Sequence, residues 1–286
     1  MSAPHPNESS TLDRPGGWLD YSVAGAGDPV IFIHGFGLDA GMWDAQWPAF
    51  NARHRAIRYD LRGYGRSSMP DGPYSHVDDL LALMDVLQAR PAHLVGLSMG
   101  GRFALRVAKS VPDAVRSLTL VDTALDGHLW SEDWLRRWRG MSEAAKRGDV
   151  AGAKQLWLEH PLFEPALRQP ATATALETMV RQYSGWHWRH KDLDQVPVPP
   201  SAEVLATIAT PTLVIVGEHD LPDFQAIAQR VGVEMPHATL RSIPRAGHMA
   251  NMEAPQAFNE LVLGHLQRHS APAPLSARTD TRAPVR

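Results

Sequence analysis

The chain has 286 residues, 44% of them apolar, a formal charge of −3 and no cysteine. This length buries a full core with room for an insertion, and the near-neutral charge argues against nucleic acid or an anionic membrane as partner. The missing cysteine excludes disulfides, thiolate metal sites and a cysteine nucleophile, and neither a membrane-length apolar run nor a signal-like start is present, so a cytoplasmic location is expected.

Residues 1–14 are polar and read as a disordered tail. A first apolar run, V-I-F-I-H (30–34), reads as a strand and leads into H-G-F-G (34–37). A second strand, H-R-A-I-R-Y-D (54–60), runs into D-L-R-G-Y-G-R-S (60–67), and an amphipathic helix is predicted over 76–90. The strand H-L-V-G-L (93–97) overlaps V-G-L-S-M-G-G (95–101), after which a helix is expected over 100–110 and a strand over 117–122. Residues 124–205 then break the rhythm. They read as helices and loops, hold six of the nine tryptophans, and close on V-P-V-P-P (196–200). The alternation resumes with strand 212–217, helix 223–231, strand 238–243 and a helix over 255–269 opened by Pro255. Residues 270–286, rich in Pro, Ala and Arg, read as a second disordered tail. Alternating strands and helices predict an α/β fold with a mostly parallel sheet covered on both faces. Its core spans 15–123 and 206–269, with 124–205 as an inserted helical cap.

The glycines around Ser98 need a reason. In a sharp strand-to-helix turn the serine backbone is strained, and a Cβ on either neighbour would collide, so Gly96 and Gly100 suit such a turn. The turn lifts Oγ above the sheet edge and leaves the Met99 amide at a helix N-terminus, where it can stabilise an anion. In this context G-L-S-M-G resembles the nucleophile turn of the α/β-hydrolase fold, and the resemblance covers about residues 17–269. It implies that H-G-F-G supplies a second oxyanion donor, the Phe36 amide. It also implies that 60–67 is a structural loop beside the turn, its arginines acting as braces.

A serine hydroxyl needs a positioned base, and the base an orienting carboxylate. The family order is Ser, acid, His. G-E-H-D (217–220) ends one strand and A-G-H-M-A-N-M-E-A-P (246–255) follows the next, so the resemblance assigns Asp220 as acid and His248 as base to Ser98. Asp122, at the end of 117–122, is a place where some relatives carry their acid. Asp223 reads as a helix cap, His34 as a loop-orienting residue, and Glu253 as a brace for the histidine loop. His219 reads as structural, and W-H-W-R-H (186–190) as packing within the cap rather than a metal site.

Serine at position 98 argues against the dehalogenase and epoxide-hydrolase branches, which use a carboxylate. The expected chemistry is acyl transfer with no cofactor and no metal, on a small-molecule ester or lactone. G-L-S-M-G-G looks most like enol-lactonases, haloperoxidase-like enzymes and small carboxylesterases. Carbon–carbon bond hydrolases of ring-cleavage products, cofactor-free dioxygenases and ligand-binding members of the fold stay open as alternatives.

Overall fold

The computed structural model describes residues 9–270. Eight strands form one sheet: β1 Ser9–Arg14, β2 Gly17–Ala24, β3 Pro29–Ile33, β4 Arg55–Tyr59, β5 Ala92–Leu97, β6 Val115–Val121, β7 Thr212–Gly217 and β8 Ala238–Ile243. They lie in the order β1-β2-β4-β3-β5-β6-β7-β8. Only the β1–β2 and β2–β4 pairs are antiparallel. Every other pair is parallel.

The central strands β5 and β7 are buried at every position, because helices cover both faces and each side chain of A-H-L-V-G-L or T-L-V-I-V-G meets protein. The edge strand β8 is instead half-buried or exposed along its length, with only Ile243 buried. On the core side, α1 (Trp47–Asn51) and α2 (His76–Val86) precede β5, and α3 (Met99–Ser110) follows it. Ser75 caps α2 by accepting from the Asp78 amide, and α3 packs on β5, β6 and α2. Between β6 and β7 run α4 (Glu132–Lys146), α5 (Val150–Leu158), α6 (Glu164–Leu167), α7 (Pro170–Gln182) and α8 (Trp186–Arg189). After β7 come α9 (Pro222–Glu234), α10 (Ala250–Glu253) and α11 (Pro255–His269).

The structure corrects three expectations. The polar tail predicted over 1–14 holds a strand: β1 pairs with β2 from Ser9↔Ser22 to Arg14↔Gly17. An edge strand is held mainly by backbone hydrogen bonds, which a polar sequence makes as well as an apolar one, and Arg14 adds a hydrogen bond to Asp79 at 3.0 Å. Residues 1–8 and 271–286, also expected as tails, lie outside the described residues. The helix expected over 76–90 stops at Val86, with Gln88 in the left-handed region (φ 50°) ahead of Pro91. Asp223 does not cap its own helix. It accepts from Ser131 N (3.0 Å) and Ser131 Oγ (2.6 Å), and so fastens the start of α4 to the start of α9.

Candidate active site

Because β3, β5, β6, β7 and β8 are parallel, their C-terminal ends share one edge of the sheet, where doubly wound folds carry their sites. Phe36, Ser98, Asp122, Asp220 and His248 all stand within a few residues of those ends. Ser98 joins β5 to α3 with φ 54° and ψ −113°, a conformation that strains any residue with a side chain. A Cβ on Gly96 would lie 2.4 Å from the Gly100 carbonyl carbon, and one on Gly100 would lie 2.2 Å from the Ile33 carbonyl oxygen. The two glycines are therefore steric necessities of this turn. Met99 is the first residue of α3, so its amide lacks the intrahelical acceptor found further along.

His248 is buried, and its Nδ1 lies 2.9 Å from Asp220 Oδ2, while Asp220 Oδ1 accepts from the Leu221 amide at 2.7 Å. Glu253 accepts from the amides of Gly247 (2.7 Å) and Met249 (3.0 Å) and pins the histidine loop from both sides. Phe224 of α9 packs on the imidazole with ring centres 4.3 Å apart. Burial pulls the His248 pKa down to about 4, which leaves its ring neutral at pH 7. Ser98 and His248 line the same narrow cavity, together with Phe36 and Trp157. Ser98 Oγ makes no hydrogen bond among the described residues, and bonds of this kind often tighten only when substrate arrives.

Asp122 stands closer to this group than a spare carboxylate should. It has φ 43°, is fully buried, accepts from the Gly217 amide at 2.7 Å through Oδ1, and its carboxyl faces that of Asp220 at hydrogen-bonding range. Ligating atoms of Asp122, Asp220 and His248 lie within 4.8 Å of one another, the spacing a metal ion could use. A cation there would have to displace the His248–Asp220 hydrogen bond, so the donor set suits a proton relay better than a metal. Burial raises both carboxyls, and the Asp220 charge raises Asp122 further. Asp220 accepts two hydrogen bonds, so the arrangement favours the charge on Asp220 and the proton on Asp122.

The loops around this centre are tied to one another. His34 Nε2 accepts from the Leu61 amide (2.9 Å), which leaves Nδ1 to donate to the Gly35 carbonyl (2.8 Å) and joins the 34–37 loop to the 60–67 loop. Asp60 accepts from the amides of Ala40 and Arg66, each at 2.8 Å, and Arg62 forks onto Asp79 at 2.9 Å through two nitrogens. These residues brace loops. Above Ser98 opens a cavity of about 270 Å³ walled by Phe36, Met99, Trp130, Trp134, Trp138 and Trp157. Trp188 is instead packed in the core, and Trp186 stacks on His190. Arg102 also lines this cavity and was not among the expected site residues. Its signal was its place one helical turn after Ser98.

Sheet order, strand-to-helix serine turn and buried His–Asp pair define a protein of the hydrolase class. A model of the alpha/beta hydrolase family matches residues 30–261. The chain belongs to that family and is a hydrolase. It is 30% identical over 262 residues to 3-oxoadipate enol-lactonase 2 of Acinetobacter baylyi, covering 87% of this chain and 93% of that one. It is 32% identical over 289 residues to the dihydrolipoyllysine-residue acetyltransferase component of an acetoin cleaving system of Pseudomonas putida, covering 93% and 70%. A malate-bound thermophilic esterase from Thermogutta terrifontis superposes with a TM-score of 0.80 at 26% identity, covering 93% of this chain and all of that one. No helix among the described residues is long and apolar enough to cross a membrane.

Proposed function

We propose that the chain cleaves a small carboxylic ester or lactone through an acyl-enzyme formed on Ser98. The observation that carries this is the 2.9 Å His248–Asp220 pair sharing one cavity with a serine held in a left-handed turn. His248, neutral at pH 7, takes the Ser98 proton as Oγ bonds to the carbonyl carbon. The carbonyl oxygen becomes an oxyanion facing the amides of Phe36 and Met99. Collapse of this intermediate breaks the C–O bond, and His248 returns its proton to the leaving oxygen. Water then attacks the acyl-enzyme by the same route, releasing the acid and restoring the Ser98 hydroxyl. Asp220 holds the imidazole with Nδ1 protonated and steadies its charge. The enol-lactonase and esterase named above act on, or are named for, ester-type bonds, which supports this substrate class over others.

The test is release of p-nitrophenol from p-nitrophenyl acetate with Ser98→Ala as blank. A burst equal to the enzyme concentration, absent from the variant, is expected. Equal release by the two proteins overturns the proposal.

A further inference from the structure

Arg102 is a charged residue in an otherwise apolar, aromatic cavity. It lines the wall that holds Ser98, Phe36 and four tryptophans, and stands one turn along α3 from Ser98, about 6 Å by helical rise. Its donors are uncommitted. Nε is buried with no hydrogen-bond partner, and the nearest carboxylate oxygen, Asp126 Oδ1, is 3.8 Å away, beyond hydrogen-bond length.

Asp126 is engaged elsewhere. Its two oxygens accept from Arg106 Nε and Nη2 at 2.7 and 2.8 Å, and Asp194 takes Arg106 Nη1 at 2.6 Å. Arg106 thus takes the direct hydrogen bonds of Asp126, while Asp194 serves both Arg106 and the His76 amide (3.1 Å), and the Asp126 charge holds Arg102 nearby without using its N–H groups. The Phe103 ring lies 5.1 Å from the Arg102 guanidinium carbon and supports it from one side. Burial, and then the neighbouring Arg106, disfavour the Arg102 charge. Its side chain is 31% exposed although Nε is not, which leaves the Nη groups as the donors free to meet a ligand. A guanidinium positioned this way has unpaired donors in a low-dielectric wall, and a bidentate anion removes that deficit.

We propose that Arg102 anchors a carboxylate of the substrate, so that the ester or lactone cleaved here bears a free carboxylate besides the scissile group. This rests on the acyl-transfer reading above and narrows it to anionic esters and lactones.

Two matched pairs of esters test it. Mono-p-nitrophenyl adipate against p-nitrophenyl methyl adipate places the carboxylate on the acyl side. Acetoxybenzoate, as its 4-isomer, against its methyl ester places it on the alcohol side. In at least one pair the carboxylate-bearing ester is expected to have the higher kcat/KM, and Arg102→Gln should lower that ratio about tenfold to a hundredfold. Arg102→Lys, which keeps the charge but not the fork, should fall between the two and covers the case in which the glutamine variant does not fold. Ratios near one in both pairs for the unaltered enzyme, or ratios unchanged by substitution, overturn the proposal. A second readout needs no turnover: adipate should raise the melting temperature of Ser98→Ala protein, and not that of protein also carrying Arg102→Gln. If no ester is cleaved but adipate stabilises in an Arg102-dependent way, the acyl-transfer reading fails and the anion site stands. If esters are cleaved without regard to charge and adipate does nothing, the reverse holds.

Discussion

The Ser98 turn sets its hydroxyl at the sheet edge, facing the cavity, and replacing the side chain leaves the glycines that permit the turn in place. Ser98→Ala should therefore keep the melting temperature and lower kcat roughly a million-fold, measured with a chromogenic ester. The two buried aspartates separate by their partners: Asp220 holds the imidazole, whereas Asp122 holds the Gly217 amide. Asp220→Asn should lower kcat by roughly ten thousand-fold, since an amide favours the wrong tautomer of His248. Asp122→Asn should lower it far less, and a reversed order would transfer the acid to Asp122. The pH profile follows from burial. A free histidine would place the acid limb of kcat/KM near pH 6.5, but burial lowers the His248 pKa to about 4. Protonation removes the base, so activity should fall only below about pH 5 and hold level through pH 7. A limb centred at 6.5 would show His248 to be solvated.

At the scale of elements, the segment between β6 and β7 divides its tryptophans between two tasks. Trp130, Trp134, Trp138 and Trp157 line the cavity that holds Ser98, whereas Trp188 is 1% exposed. Trp138 meets Phe36 edge-on at 4.8 Å and is only partly buried. Trp138→Ala should change the kcat/KM ratio between a short aliphatic and a bulky aromatic ester, with little loss of melting temperature. Trp188→Ala should leave that ratio and cost about 3 kcal/mol or more in denaturant unfolding. The inserted segment is also fastened to α3 from below. Arg106, 2% exposed, joins Asp126 and Asp194, and Lys109 donates to the Pro197 and Pro199 carbonyls. Arg106→Met would remove the main partner of two half-buried carboxylates, a loss of about 1–3 kcal/mol by the same measurement.

Across the whole molecule, many histidines are buried, and burial outweighs the acids that stand near some of them. Burial lowers His93 to about 3 and His160, His187, His248 and His265 to about 4. For each, the unfolded chain takes up a proton near pH 6.5 while the folded chain does not, so stability is present above that pH and lost as pH falls toward 4. Asp60, Asp122, Asp220 and Glu253 are shifted upward by burial and act in the opposite direction over part of that range. Burial lowers His34, His54, His76 and His269 as well, so the histidines outnumber the carboxyls. The melting temperature should therefore fall between pH 6.5 and 4.5, and a rise on acidification would show that the carboxyls dominate.

The sequence by itself determined what depends on neighbours along the chain. Six strands and four helices showed as apolar runs and helical spacing, and the turn at Ser98 showed through Gly96 and Gly100, because its steric demand falls two residues either side. Asp220 and His248 stand just past strand ends, and it was the resemblance to the α/β-hydrolase fold, with its order of serine, acid and histidine, that singled them out. What only the tertiary structure decided rests on distant partners. β1 was invisible because S-S-T-L-D-R carries no apolar pattern, and the backbone of β2 is what makes it a strand. Asp122 met Asp220 and His248 only once β6 and β7 lay side by side. Arg102, one helical turn after Ser98, has no role that its neighbours along the chain could reveal. Its open donors follow from Arg106 having taken Asp126 and Asp194, the latter 88 residues further along the chain, and a pairing at that separation is set by how the segment after β6 folds back onto α3.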